Sequence, residues 1–108
     1  MSDKDIMIIK RIKNELVFMK KSLENISRED FLDSEALQHL IMMALIIIGE
    51  NVNRLSDDFK NKYSDIEWVQ IIAVRNIAAH GYWQLNMEQI WKALETDIPE
   101  LELFFESF

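Results

Sequence analysis

Leu40-Ile-Met-Met-Ala-Leu-Ile-Ile-Ile48 is the stretch on which the fold turns, since nine consecutive apolar residues leave no polar side for water. The β-branched run Ile46-Ile47-Ile48 would also suit a strand, but the flanking residues continue at helical spacing and no turn signal interrupts them, which selects a helix. A helix that is apolar all the way round has to be buried on more than one side. In a chain of 108 residues the cover expected for the second side is another subunit. The run is far short of the roughly 20 residues that a membrane-spanning helix requires, so a soluble protein with no membrane partner is expected.

Outward from this stretch the pattern stays helical. Towards the N-terminus, Ile9, Ile12, Leu16, Met19, Leu23 and Ile26 step by three and four and define one stripe of a helix over about Asp3 to Asn25. Ser27-Arg-Glu-Asp30 has the spacing of a capping box, with Asp in the place of the usual Glu or Gln, and Asp33 and Ser34 are alternative caps. The second helix therefore starts after a connection around residues 26–34 and runs to about Leu55 or somewhat beyond. Towards the C-terminus, Ser64-Asp-Ile-Glu67 predicts a capping box that opens a third helix carrying Trp68, Ile71, Ile72 and Ala79, with Gly81 placed to stop it. Asn86 is the predicted cap of a fourth helix bearing Ile90, Trp91, Leu94 and Ile98. Pro99 either kinks that helix or starts a short final one with Leu101, Phe104 and Phe105. The expected architecture is all-α, a four- or five-helix up-down bundle forming a single domain over residues 1–108.

The composition agrees. With 49% apolar and 29% charged residues the balance is globular, and two glycines with one proline are too few turn-formers for an all-β chain. The chain has no cysteine, so it has neither a disulfide framework nor a thiolate zinc site, and its N-terminus does not read as a secretory signal; a cytoplasmic setting is expected. Two isolated histidines and scattered carboxylates make no metal-ligand set, and Gly49 and Gly81 alone make no phosphate-cradling loop, so no metal or cofactor is expected. A net charge of −7 argues against broad nucleic-acid binding. The charge is unevenly spread, however. From Trp68 to Met87 the only formally charged residue is Arg75, so an anion bound in this region need not meet the acidic groups.

That same region holds the candidate chemistry, Val74-Arg-Asn-Ile-Ala-Ala-His-Gly-Tyr-Trp83. Arg75 offers a permanent, forked cation suited to phosphate, and His80 is the side chain most easily tuned to move protons near neutral pH. Asn76 and His80 are four apart on one helix face, close enough for the amide to fix the imidazole tautomer. Arg75 and His80 are five apart, so one copy need not bring them together, whereas two copies across a two-fold axis could face one phosphate from both sides. Generic chemistry also allows a plainer reading, in which Arg75 is a cation near the helix end and His80 a polar C-terminal cap. Glu50, beside Gly49, reads most simply as an i,i+4 ion pair with Arg54; its functional alternative is to orient Arg75. His39 reads as a helix-surface or interface residue, and Trp68, Trp83 and Trp91 as core or interface anchors.

The segment Arg75-Asn-Ile-Ala-Ala-His80-Gly-Tyr82 resembles the R-x4-H-x-Y motif of HepT-like toxins, which belong to the HEPN class of helical ribonucleases. The resemblance extends to Ile47-Ile-Gly-Glu50, Leu55-Ser56, Ile66-Glu-Trp68, Ile71-Ile72, Trp91 and Asp97-Ile-Pro-Glu-Leu101, in order and at the right intervals. It implies a HEPN-like homodimer whose two motifs meet in a composite cleft, and metal-independent cleavage of RNA, tRNA being a kind of target reported in the family. His80 would be the general acid–base, Arg75 would stabilise charge on the phosphorane-like transition state, and Asn76 would orient them. Tyr82 would lie in the same cleft and would match the tyrosine to which an antitoxin, a minimal nucleotidyltransferase, attaches AMP in a type VII-like toxin–antitoxin pair. Two departures are visible: Ala73 stands where many relatives have glycine, and Trp83-Gln-Leu-Asn86 lacks a glycine common there. The alternative function is non-enzymatic, a helical module that docks a nucleotidyltransferase and helps it hold its substrate.

Overall fold

The computed structural model describes residues 1–80 and 83–108, and the side chains of all of these except residues 83–86. Its secondary structure is helical throughout, with seven helices among the described residues: α1 (Asp3–Ser22), α2 (Arg28–Asp33), α3 (Glu35–Arg54), α4 (Asp57–Lys62), α5 (Trp68–Ala79), α6 (Trp83–Glu95) and α7 (Asp97–Phe105). The longer five are those expected from the apolar periodicity, and α2 and α4 are added as single short segments between them. The result is an all-α bundle of the HEPN-like kind.

α1 starts where Ser2 Oγ accepts the Asp5 N–H at 3.1 Å, and it buries Ile8, Ile9, Ile12, Leu16 and Met19. It stops three residues earlier than the stripe suggests because Asn25 takes a left-handed conformation (φ 60°), which a helix cannot continue through. The capping box at Ser27 and Asp30 forms as read, but it opens the six-residue α2 rather than the long helix. Ser34 caps that long helix, α3, accepting the Leu37 N–H at 3.1 Å. Buried Gln38 then donates to the carbonyls of Phe31 and Leu32, both at 3.0 Å, and satisfies the end of α2.

α3 is the central element, packed against both α1 and α5. By length and composition it is apolar enough to cross a membrane, yet half of its apolar window is buried inside the bundle. Ile41, Met42, Ala44, Leu45, Ile48 and Val52 fill the core. The opposite face remains uncovered: Met43 is 58% and Leu40 36% exposed, and Ile46 and Ile47 are half-buried.

Two predicted caps do not form. Residues 63–66 make a turn, and α5 begins only after Glu67, whose side chain makes no capping bond. The start is set instead by Trp68, whose buried indole N–H is shared between the carbonyls of Lys60 and Tyr63, each at 3.2 Å. Burial of a large aromatic with its one donor satisfied outweighs the local Ser64–Glu67 signal. Asn86 likewise lies inside α6, which already starts at Trp83, so it is not that helix's cap. Gly81, the predicted stop of α5, lies outside the described residues. Pro99 occupies the third position of α7, where no intrahelical N–H is needed, so a separate final helix forms.

Candidate functional site

The site is built where α3 and α5 cross. Arg75 leaves α5 on the side that faces α3, its stem against Gly49, and its guanidinium is held from both helices. One terminal nitrogen donates to Glu50 Oε1 in a close ion pair, and the other donates to Asn76 Oδ1 at 2.7 Å. The Arg75 side chain is 29% and that of Glu50 45% exposed, so the pair sits at the rim rather than in the core. Glu50 is therefore paired with Arg75 and not with Arg54. Proximity in sequence made Arg54 the simpler partner, but the helix crossing brings Arg75 to the same carboxylate.

His80 is the C-cap residue of α5, with φ −105° and ψ 17°, and its backbone N–H donates to the Asn76 carbonyl at 3.0 Å. Its imidazole is exposed and makes no hydrogen bond to any described residue. The expectation that the Asn76 amide fixes the imidazole is thus corrected: the amide oxygen is engaged by Arg75, a charged and therefore stronger donor. Arg75 and His80 do not meet. Five helical steps turn the chain by about 140° beyond a full turn, so the two side chains leave α5 in different directions. Tyr82 lies outside the described residues.

The surface leading to the site is unusual for a chain of this charge. Ala36, Leu40, Met43, Ile47, Glu50 and Arg54 step by four and three along α3, so they form one stripe, and its exposed apolar part runs into the Glu50–Arg75 pair. His39, exposed beside the stripe, has Nδ1 2.7 Å from the Glu35 carbonyl, as a surface residue would. Trp68 and Trp91 are anchors, the latter packed on Phe31 with ring centroids 5.4 Å apart. Among the described residues no group of three His, Cys, Asp or Glu could hold a metal ion.

The fold and the site together define a small all-helical bundle that presents an arginine and a histidine towards the end of one helix, beside an uncovered apolar stripe. The family model described as "Ribonuclease HepT-like" matches residues 12–108. Similar proteins include "Putative RNase TTE0752" of Caldanaerobacter subterraneus subsp. tengcongensis, 34% identical over 94 residues that cover 87% of this chain and 84% of that one. "Probable ribonuclease HepT" of Thermococcus cleftensis is 35% identical over 78 residues, covering 72% and 71% of the two chains. "Putative RNase MJ1380" of Methanocaldococcus jannaschii is 27% identical over 79 residues, covering 73% and 72%. No solved structure matches the chain. The chain belongs to the ribonuclease HepT-like family, and ribonuclease is the enzyme class that this membership assigns.

Proposed function

We propose that the protein is the toxin of a toxin–antitoxin pair, a metal-independent ribonuclease that cleaves tRNA as a homodimer and is silenced by AMP transfer to Tyr82. The observation that carries this reading is the divergence of Arg75 and His80: the guanidinium is held by Glu50 and Asn76, the imidazole is exposed and leaves α5 in another direction, so one copy supplies only half of a cleft. A two-fold partner on the α3 stripe would bring the His80 of one copy towards the Arg75 of the other while covering Leu40, Met43 and Ile47. In that cleft the imidazole takes the proton of the ribose 2′-hydroxyl or returns one to the leaving 5′-oxygen as the 2′-oxygen bonds to phosphorus. The Arg75 guanidinium, fixed by Glu50 and Asn76, meets the negative charge that grows on the phosphorane-like transition state. AMP placed on Tyr82 by a nucleotidyltransferase antitoxin, with pyrophosphate leaving ATP, would add an anion and bulk at the cleft mouth and repel RNA. The net charge of −7 favours the competing reading, a non-enzymatic module that docks the nucleotidyltransferase.

Complementation separates the two. Arg75→Ala and His80→Ala should each lower tRNA cleavage by about 10²–10⁴-fold without loss of helicity. Mixed after co-refolding, the two dead variants should recover about one quarter of wild-type activity, because half of the dimers then carry one intact composite cleft. Wild-type protein that leaves tRNA uncut, with and without its antitoxin, supports the docking module instead.

A further inference from the structure

Gly49 lies in the middle of α3, buried, in the interior of a 20-residue helix. Glycine is a poor choice there, because it has the most backbone freedom to lose and contributes no side-chain packing. Its φ is not positive, so no unusual backbone conformation requires it. The requirement comes from the facing helix. A methyl group on Gly49 would overlap Cβ and Cγ of Arg75 and would lie 3.5 Å from the Arg75 Cα. The missing side chain is thus a slot in the surface of α3, and the aliphatic stem of Arg75 lies in it. Glu50 is the next residue along α3, about 100° further round the helix. An arginine stem laid across position 49 therefore delivers its guanidinium to position 50, where the ion pair is observed.

The geometry points to Gly49 as a positioning residue for Arg75: the slot at Gly49 and the carboxylate at Glu50 form one two-residue seat, the first fixing the stem and the second the charge. Because Arg75 is a β-carbon's width from α3, any side chain at position 49 has to push it outward, and the guanidinium then leaves both Glu50 and Asn76. This inference rests on the proposed function only for its catalytic readout; the seat itself is tested without any substrate.

The test is a double-mutant cycle between Gly49→Ala and Arg75→Gly, read in thermal stability, in Arg75 side-chain NMR and in tRNA cleavage. Gly49→Ala alone should lower Tm, although alanine is the better helix former. In the Arg75→Gly background, where Cβ and Cγ are gone, the same Gly49→Ala should raise Tm, a reversal of sign that generic core crowding does not produce. The terminal N–H resonances of Arg75 should be resolved in the wild type, where Glu50 and Asn76 hold the guanidinium, and should average both in Gly49→Ala and in Glu50→Gln. The turnover number should fall by about 10–100-fold in Gly49→Ala with KM within about twofold, because a displaced cation is missed chiefly in the transition state. A Gly49→Ala protein with unchanged Tm and resolved Arg75 resonances overturns the inference, as does a double variant that remains less stable than Arg75→Gly. A wild-type protein without ribonuclease activity would sink the proposed function and leave the Tm and NMR results to decide the seat.

Discussion

Two apolar regions of the bundle are finished differently. At one end Phe59 of α4, Tyr63, Trp68 of α5, and Phe104, Phe105 and Phe108 of the C-terminal segment form a closed aromatic cluster, with ring centroids from 4.9 to 6.4 Å apart. Every ring there has several others as neighbours, and the single buried donor among Phe59, Trp68 and Phe105, the Trp68 indole, is satisfied within the chain. Along the outer face of α3 the residues are as apolar, but Leu40 and Met43 face outward and the stripe ends in a half-exposed ion pair. Hydrophobicity alone does not distinguish the two regions; what differs is whether the chain itself supplies the cover. The closed end is where the fold is held, and the open face leaves apolar surface that the chain itself does not cover.

That contrast can be broken or sharpened by substitution. The largest effect is expected at the closed end, where Phe59→Ala removes a ring that is 4% exposed and in contact with Tyr63, Trp68 and Phe104. A loss of about 3–5 kcal/mol in urea unfolding is expected for such a cavity, a large share of the 5–15 kcal/mol that holds a typical domain. A loss below 1 kcal/mol would show that the cluster can be spared. On the open face Met43→Asp should leave urea stability of the subunit nearly unchanged while weakening self-association by about 10–100-fold in sedimentation equilibrium. Equal damage to folding and association would erase the distinction between the two regions.

A smaller effect than at Phe59 concerns the contact between the first turn of α1 and the N-cap of α4, where the carboxylate of Asp5, 3% exposed, accepts the N–H of Ser56 at 2.9 Å and its hydroxyl at 2.6 Å. Burial pushes this carboxyl up, but the hydrogen bonds from Ser56 and Ser2 outweigh it and hold the group below its ordinary value. A depressed folded-state pKa means that the stabilisation is complete above the unfolded-state value and is lost as pH falls through the folded one. Stability should therefore drop in the acid range below about pH 4, and Asp5→Ala should cost about 1–3 kcal/mol at pH 7 with a shallower acid limb. An unchanged acid limb in Asp5→Ala would assign the drop to other carboxylates.

Much of the fold is legible in the sequence. The long helices follow from apolar spacing because α1, α3 and α6 bury one periodic face each, and the Arg75–His80 region stands out because so few charges surround it. Two of the misreadings share a cause, a local signal overruled by a distant partner. Ser64–Glu67 has the pattern of a cap, but Trp68 is drawn to carbonyls five and eight residues back. Glu50 has Arg54 within reach on its own helix and is taken by Arg75, 25 residues away. α4 leaves no trace in the sequence, because six residues with one apolar anchor, Phe59, carry no period. Gly49 carried a signal, a glycine where a helix needs none, but its meaning depends on which residue of α5 crosses above it.

A helix of six residues is too short to stand by itself, since nucleation costs more than so few bonds return. α4 is therefore made from outside. Ser56, its N-cap, is gripped by Asp5 from the first turn of α1, and the carbonyls at its other end are taken by the indole at the start of α5. In kinetic terms α4 is a clasp that can close only after α1 and α5 are in place. Its amides will exchange with solvent as a group with the first turn of α1, ahead of the core of α3, so that the last part of the chain to fold is also the first to open.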